Sequence, residues 1–202
     1  QDQLAGSCRN FFSVQGCVDI SNEESGVTWV TPDAPMIELG SLTAERPWLK
    51  KIDPPTVVYS YVMNNYWHTN YKADQSGPVE FRYFIFPHGG FKPAVAARAE
   101  IECREPLIAV RADRANPPAR SLFRIEPPEV LALSVKPLGG EHAWLLYLYN
   151  PTDLKQLAAV QWNEAVSVTV HASDITGKLL GDSGDNIDMA AHGTSYVRVD
   201  EK

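Results

Sequence analysis

Short stretches of alternating apolar and polar residues recur along most of the chain, and they are rich in β-branched and aromatic side chains. This pattern is typical of β-strands, because successive side chains of a strand point to opposite faces of a sheet. It predicts strands at residues 26–31, 56–63, 79–86, 144–150, 166–172 and 195–199. In the segment VEFRYFIF, residues 79–86, the apolar residues at odd positions would share one face, and Glu80 and Arg82 the other.

One segment has the composition of a helix instead. In KPAVAARAEIEC, residues 92–103, Pro93 stands where the first helical position would be, and strong helix formers follow it. The helix should end before Pro106, because a residue that precedes proline is pushed out of the α region. We therefore predict one short helix near 93–103 in an otherwise all-β chain.

The segment RADRANPPARS, residues 111–121, is the best candidate for a domain boundary, since it is charged, contains a proline pair and has no periodicity. After it, strand patterns recur at the short spacing of a β-sandwich. We predict an all-β fold of the β-sandwich type with two domains. Residues 1–112 would form part of a large sandwich sheet, and residues 119–202 a small terminal β-sandwich.

Composition and charge narrow the functional classes. The chain has 202 residues, 44% of them hydrophobic, so it can bury a core, and its net charge is −7. Because it has no basic run, no nucleic-acid partner is expected. No apolar run approaches the roughly 20 residues that span a bilayer, so no membrane span is expected, and no signal peptide is recognisable at the start.

The cysteines leave the compartment open. Cys8, Cys17 and Cys103 form no C-x-x-C pair, and an odd count argues against a disulfide framework, although the spacing allows a Cys8–Cys17 bridge. A periplasmic or secreted location is the expectation if the chain is bacterial.

Motifs of stand-alone hydrolases are missing from the sequence. It contains no G-x-S-x-G, no H-E-x-x-H and no glycine-rich phosphate loop. The five histidines are scattered singly, so we expect surface or turn histidines rather than a metal site. Asp33 is the nearest candidate for a glycosidase carboxylate, but a turn aspartate before Ala-Pro explains it better. No catalytic residue and no metal ligand are predicted.

The densest group of polar and aromatic side chains is the run NNYWHTN, residues 64–70. Asparagine offers both a donor and an acceptor to sugar hydroxyls, and Tyr and Trp offer a flat face with a polar edge. The candidate carbohydrate-binding residues are Asn64, Asn65, Tyr66, Trp67 and Asn70, with His68 as a neighbour. The structural alternative is a sheet corner, with a left-handed Asn-Asn turn and the aromatic rings in the core.

The longer run YVMNNYWHTNYKADQSGPVEFRYFIFPHGG, residues 61–90, resembles a motif in the C-terminal β-region of glycoside hydrolase family 38, the retaining α-mannosidases. The family pattern is roughly N-N-Y/H-W-x-T-N-F/Y, then Q-x-G-P, then F-R-Y. Similar stretches flank it in the same order at residues 18–40, 121–153 and 187–199, so the resemblance covers nearly the whole chain. The chain departs from the pattern near Cys17 and at His68 and Tyr147, where the family usually has tryptophan, an acidic residue and arginine.

This resemblance implies a non-catalytic C-terminal β-domain of an α-mannosidase-like glycoside hydrolase. In the family, a (β/α) catalytic barrel and a helical bundle precede the β-domains, and the zinc ligands, the nucleophilic aspartate and the acid lie in that upstream part. The expected partners are the catalytic barrel of the same parent chain and mannose-containing glycans. Zinc is expected in that barrel and no cofactor in this segment, which should be inactive when isolated.

Three alternatives stay open at this point. The chain could be an independent carbohydrate-binding module, which would bind sugar without a barrel. It could be a purely structural scaffold, with Tyr66 and Trp67 buried in its core. The alternative ranked last is that the chain is a small metal-dependent sugar isomerase, which would contain zinc or manganese.

Overall fold

The computed structural model describes residues 4–40, 42–43, 49–52, 57–63, 70, 72, 74–105, 107–111, 121–139, 142–162, 167–184 and 186–202. Over these residues the protein is all-β, with fourteen strands in four sheets and one short helix. The predicted fold class, an all-β sandwich type with a helix near residues 93–103, is confirmed.

Contacts between residues divide the chain into two compact units. Unit 1 comprises residues 1–91 and 102–104, and unit 2 comprises residues 92–101 and 105–202. Of the predicted linker, residues 111–121, only Arg111 and Ser121 are among the described residues. The boundary predicted between residues 112 and 119 therefore stays a prediction.

Unit 1 contains six described strands, and all of them are short because turns and prolines interrupt the β pattern. They are β1 (Phe11–Ser13), β2 (Cys17–Ser21), β3 (Gly26–Val30), β4 (Met36–Leu39), β5 (Val58–Ser60) and β6 (Phe84–His88). These strands pair antiparallel in two sheets, of order β1-β4-β5 and β2-β3-β6. In the second sheet, β3 is central and β2 and β6 are edges.

The interior of unit 1 is small and partly polar. Val30 and Ile37 are at most 2% exposed, and Glu38 is as deeply buried as Ile37. Glu38 Oε1 accepts hydrogen bonds from the backbone N–H of Thr43 at 2.8 Å, from Thr43 Oγ1 at 2.6 Å and from Asn10 Nδ2 at 3.3 Å. This buried carboxyl group is thus supplied with donors by nearby residues, as burial of a polar group requires.

The strand predicted at residues 79–86 is wrong in its bounds and in its buried face. Pairing with β3 begins only at Phe84 and extends to His88. The backbone N–H of Arg82 donates instead to Asp33 Oδ2 at 2.9 Å, so a side chain takes the place of a ladder partner. Of the apolar residues predicted to share one face, Val79 is 46% exposed and Ile85 66% exposed.

Proline inside β6 is compatible with its place in the sheet. Pro87 lies opposite Val27 of β3, and β6 has no neighbour on its other side among the described strands. Proline cannot donate to a ladder, so it is tolerated on an edge strand and excluded from a central one.

The helix α1 (Pro93–Arg104) begins at the predicted proline and ends one residue after the predicted end. Lys92, before it, and Glu105, after it, both have extended backbone conformations. Glu105 immediately precedes Pro106, which accounts for the end of the helix. Arg98, in the part of α1 that belongs to unit 2, donates from Nη2 to Pro128 O at 2.9 Å.

Unit 2 is a β-sandwich. Its strands are β7 (Phe123–Glu126), β8 (Leu131–Pro137), β9 (Ala143–Tyr149), β10 (Gln156–Trp162), β11 (Val168–Ser173), β12 (Leu179–Ser183), β13 (Asn186–Met189) and β14 (Thr194–Glu201). A three-stranded sheet of order β13-β10-β7 faces a five-stranded sheet of order β12-β11-β14-β9-β8. Side chains of both sheets form one core, in which Leu146, Leu148, Ala158, Val197 and Val199 are fully buried.

Alternation explains why β9, β11 and β14 were predicted close to their observed bounds. In β9, Leu146 and Leu148 face the core, while Tyr147 stacks on Tyr196 of β14 with ring centroids 4.5 Å apart. Period-2 patterning specifies a strand when one face is buried against a second sheet. The Cys8–Cys17 bridge allowed by the sequence is not formed, because the Cys8 thiol is free and donates to Asn10 Oδ1 at 3.2 Å.

Candidate functional site

Most of the predicted carbohydrate site lies outside the described residues. This holds for Asn64, Asn65, Tyr66 and Trp67, together with their neighbour His68, so the site stays a prediction. Asn70 is described and exposed. Shortly after it, four polar residues line a surface cavity of about 610 Å³: Lys72, Asp74, Gln75 and Ser76.

Later in the run of residues 61–90, Arg82 forms a bidentate ion pair with Asp33. Arg82 Nε donates to Asp33 Oδ2 at 2.8 Å, and Arg82 Nη2 donates to Asp33 Oδ1 at 2.9 Å. The sheet explains the meeting: Val30, the last residue of β3, pairs with Phe84, the first residue of β6. The turn after β3 and the segment before β6 therefore lie at the same end of the sheet.

This pair fixes the charge of the carboxylate. The side-chain hydrogen bonds of Arg82, with its backbone N–H and its positive charge, lower the pKa of Asp33 to about 2. A glycosidase acid needs a pKa raised towards neutrality, usually by burial without a cation. Asp33, the nearest candidate for such a carboxylate in the sequence, is therefore an anion held by arginine.

Close to the ion pair in the sequence, two aromatic side chains lie together, one from β3 and one from the segment before β6. The rings of Trp29 and Tyr83 have centroids 5.6 Å apart and an interplanar angle of 37°. Tyr83 Oη lies 2.8 Å from Ser60 Oγ, and Tyr83 is 38% exposed. We call the set formed by Trp29, Asp33, Ser60, Arg82 and Tyr83 the aromatic–guanidinium surface.

A second polar cluster lies at the opposite end of the same sheet. His88 Nε2 lies 2.7 Å from Asp19 Oδ2, and His88 Nδ1 lies 2.7 Å from Gly89 O. Thr28 Oγ1 also donates to Asp19 Oδ2, at 2.6 Å. Both ring nitrogens of His88 thus face oxygen acceptors, an arrangement that the doubly protonated imidazolium satisfies.

The titration of this cluster follows from its contacts. The carbonyl of Gly89 and then the carboxylate of Asp19 raise the pKa of His88. Burial raises the pKa of the partner carboxyl, but hydrogen bonds from Ser21, Thr28 and His88 together outweigh burial and lower it. Both shifts favour the ion pair between the imidazolium of His88 and the carboxylate of Asp19.

Close approach at a glycine makes the second cluster possible. Gly26 lies between Ser21 and His88 in the sheet register. A Cβ added at Gly26 would lie 2.3 Å from Ser21 Cβ and 2.6 Å from His88 Cε1. Only glycine lets the imidazole cross β3 to reach Asp19 on β2.

The sequence reasoning missed both ion pairs. It predicted that Arg82 lies on the solvent-facing side of a strand, that Asp33 is a turn residue and that His88 is a surface or turn histidine. The local bond of His88 to Gly89 is present, but its partner on β2 is 69 residues away. The antiparallel register of β3 with both neighbours would have been the signal, and no local pattern reveals that register.

Comparison with known proteins does not assign the chain: no protein-family model and no curated protein matches it. Among the described residues, no group of three or more His, Cys, Asp or Glu side chains is placed to hold a metal ion. The described helix is too short and too polar to cross a membrane.

Proposed function

We propose that the chain is a non-catalytic C-terminal β-domain of a retaining α-mannosidase-like glycoside hydrolase, in which it supports the catalytic barrel and contacts carbohydrate. The sequence run of residues 61–90 is the basis for the family, and the all-β architecture is compatible with it. The zinc and the catalytic carboxylates would belong to the barrel.

The observation that carries the carbohydrate part of this proposal is the aromatic–guanidinium surface. Protein sites for sugars combine an aromatic face for C–H groups with planar polar groups for hydroxyls. Trp29 and Tyr83 supply the first, and Asp33 and Arg82 supply the second within the same end of the sheet. Arg82 and Tyr83 are also the F-R-Y residues of the run that resembles the mannosidase family.

The state of the carboxylates supports a binding role over a catalytic one. Asp19, on β2, and Asp33, in the turn after β3, both have a lowered pKa and an ion-pair partner. Neither can be the proton donor that a glycosidase needs near neutral pH.

Parentage is tested by reading the coding sequence immediately upstream. The proposal expects an open frame that encodes a zinc-binding barrel, and an unrelated upstream gene with a stop codon between them would refute it. In the joined parent enzyme, Trp67→Ala or Asn65→Ala should lower activity on mannosides. Unchanged activity and stability in both variants would remove these two residues from the sugar site.

An independent carbohydrate-binding module is the second candidate, and the completeness of the aromatic–guanidinium surface within this chain favours it. Calorimetric titration of the 202-residue chain with methyl α-mannoside separates the two. The mannosidase-domain proposal expects no turnover and weak or no heat of binding. Saturable binding that Arg82→Gln abolishes would establish the module instead.

A further inference from the structure

The side chain of His88 connects two parts of the chain that the proposed function does not use. His88 is the last residue of β6, and residues 89–91 join it to Lys92, the residue before α1. Its imidazole contacts Asp19 Oδ2 on β2 through Nε2 and the carbonyl of Gly89 through Nδ1, both at 2.7 Å. A single ring therefore ties the chain after β6 to the opposite edge strand of the sheet.

These two contacts together require two N–H donors. Carbonyl and carboxylate oxygens only accept hydrogen bonds, and imidazole has a proton on both nitrogens only in its charged form. The neutral ring has one proton, so one of its nitrogens would face an oxygen at 2.7 Å with a lone pair on each atom. Deprotonation of His88 must therefore break one of the two contacts.

The contact with Gly89 is the one that should be lost. A hydrogen bond to a carboxylate is stronger than one to a neutral carbonyl, so the single remaining proton is best placed on Nε2, facing Asp19. The side chain of Asp19 is only 13% exposed, whereas Gly89 is exposed. Water can therefore replace the imidazole at the Gly89 carbonyl more readily than at the carboxylate.

The chain after His88 has the freedom to respond. Gly89 and Gly90 follow it, and glycine has more backbone freedom than any other residue. A Cβ added at Gly89 would meet only Glu24 O, at 3.8 Å, so little packs against this residue. Loss of the bond to the Gly89 carbonyl would thus remove a main restraint on residues 89–91.

Among the described residues, Asp19 is the titratable group that contacts the ring. It lies on β2, whose other titratable residue, Cys17, is at the opposite end of that strand. β3 has no titratable residue, and β6 has none besides His88. Glu23 and Glu24, in the turn between β2 and β3, are exposed.

The pH range of the contacts follows from the two partners. The carbonyl of Gly89 and then the carboxylate of Asp19 raise the pKa of His88, so both contacts should be present below about pH 6.5. They should be lost together no longer than the ring stays charged, that is, the Gly89 contact breaks as the pH rises through the folded pKa. The pKa of Asp19 is lowered, so its carboxylate stays charged throughout this range.

We propose that His88 is a proton-dependent latch. Protonated His88 holds residues 89–91 to the end of β6, and its deprotonation releases this segment while Nε2 keeps its contact with Asp19. The latch lies at the opposite end of the β3-β6 ladder from Arg82 and Tyr83. It goes beyond the proposed function and does not depend on the mannosidase parentage.

The test is NMR of the isotope-labelled 202-residue chain across the pH range in which His88 titrates. The Gly89 carbonyl and Gly90 N–H resonances should shift with the same midpoint as the imidazole. Above that midpoint the order parameter of the Gly90 N–H should fall from about 0.85 to below about 0.6. The ring nitrogen shifts of neutral His88 should show its proton on Nε2.

Variants assign the response to His88. His88→Gln removes the titrating group, so residues 89–91 should no longer respond to pH in this range. Asp19→Asn removes a charge that raises the His88 pKa, so the midpoints of the imidazole and of the segment should fall together. His142→Gln makes the same change at an exposed histidine of unit 2 and should leave both midpoints unchanged.

Release of residues 89–91 at a pH other than the His88 midpoint would refute the latch, as would no release at all. Persistence of the response in His88→Gln, its loss in His142→Gln, or a neutral His88 with its proton on Nδ1 would do the same. If His88→Gln does not fold, the tautomer and the shared midpoint in the native chain still decide between the outcomes. None of these measurements uses a mannoside, so their failure is distinguishable from failure of the proposed function.

Discussion

Gly26 offers the sharpest test of the cluster that holds β6 to its sheet. Alanine at this position would place a Cβ 2.3 Å from Ser21 Cβ and 2.6 Å from His88 Cε1. Both distances are well inside van der Waals contact, so the β2-β3 hairpin or the imidazole must move. The imidazole is the more mobile of the two, and its displacement lengthens the 2.7 Å contact between His88 Nε2 and Asp19 Oδ2.

The expected cost can be worked out from opposing effects. Overpacking of this kind costs about 1–3 kcal/mol. Replacement of glycine by alanine where the backbone permits it returns about 0.4–1 kcal/mol, because the unfolded chain loses freedom. We expect Gly26→Ala to lower the free energy of unfolding by about 1–2 kcal/mol.

A matched control is available one residue beyond β6. A Cβ at Gly89 would meet only Glu24 O, at 3.8 Å, so Gly89→Ala should change the stability by less than about 0.5 kcal/mol. Urea unfolding of both variants gives the difference, and NMR titration of the imidazole gives the His88 pKa. That pKa is raised in the native chain and should fall towards its ordinary value in Gly26→Ala. Equal stability of the two variants, with an unchanged His88 pKa, would refute the reasoning.

Three further predictions follow from the same structure. The pKa of His88 is raised in the folded chain, so protonated His88 should contribute its full stabilisation below about pH 6.5. This stabilisation should be lost as the pH rises through the folded pKa. Urea midpoints of the native chain and of His88→Gln, measured across this range, would reveal the loss. The pKa of Asp33 is lowered to about 2, so ionised Asp33 should contribute its full stabilisation above about pH 4, and this should be lost as the pH falls through 2. Asp33→Asn should remove this pH dependence of stability. Added salt should weaken the stabilisation, because the ion pair with Arg82 is exposed. In unit 2, Leu146→Ala should cost about 2–5 kcal/mol in urea unfolding because Leu146 is fully buried, whereas Leu154→Ala, at a position 69% exposed, should cost little.

Local sequence was sufficient wherever local physics decides the structure. The helix begins at Pro93 because proline suits the first helical turn, and it ends before Pro106 because the preceding residue must be extended. The strands of unit 2 follow their alternating pattern because one face packs against a second sheet. β14 (Thr194–Glu201) contains the predicted residues 195–199 and extends past them at both ends.

Where a distant side chain competes with the backbone ladder, the sequence pattern fails. Residues 79–83 alternate as a strand would, but Arg82 directs its backbone N–H and its guanidinium to Asp33, which is 49 residues away. Nothing in the local pattern records that partner. The resemblance to the mannosidase family likewise suggested which residues bind sugar, but it did not predict that Arg82 pairs with Asp33, because a motif within residues 61–90 contains only one of the two partners.

The two ion pairs have a common effect on β6 that neither would have alone. β6 is an edge strand of five residues, so its ladder with β3 is short. The contact of Arg82 with Asp33 holds one end, and the contact of His88 with Asp19 holds the other. A slip by one residue would turn every β6 side chain to the opposite face and would break both contacts. Since the Arg82–Asp33 pair is exposed and such pairs add little stability, we interpret its role as fixing the register, which in turn sets Tyr83 beside Trp29. Arg82→Gln should therefore disturb the packing of Tyr83 on Trp29 while changing the free energy of unfolding little. NMR would show the disturbance as a loss of the ring-current shifts that the two rings induce in each other. An aromatic pair that survives the substitution intact would show that the register does not depend on this contact.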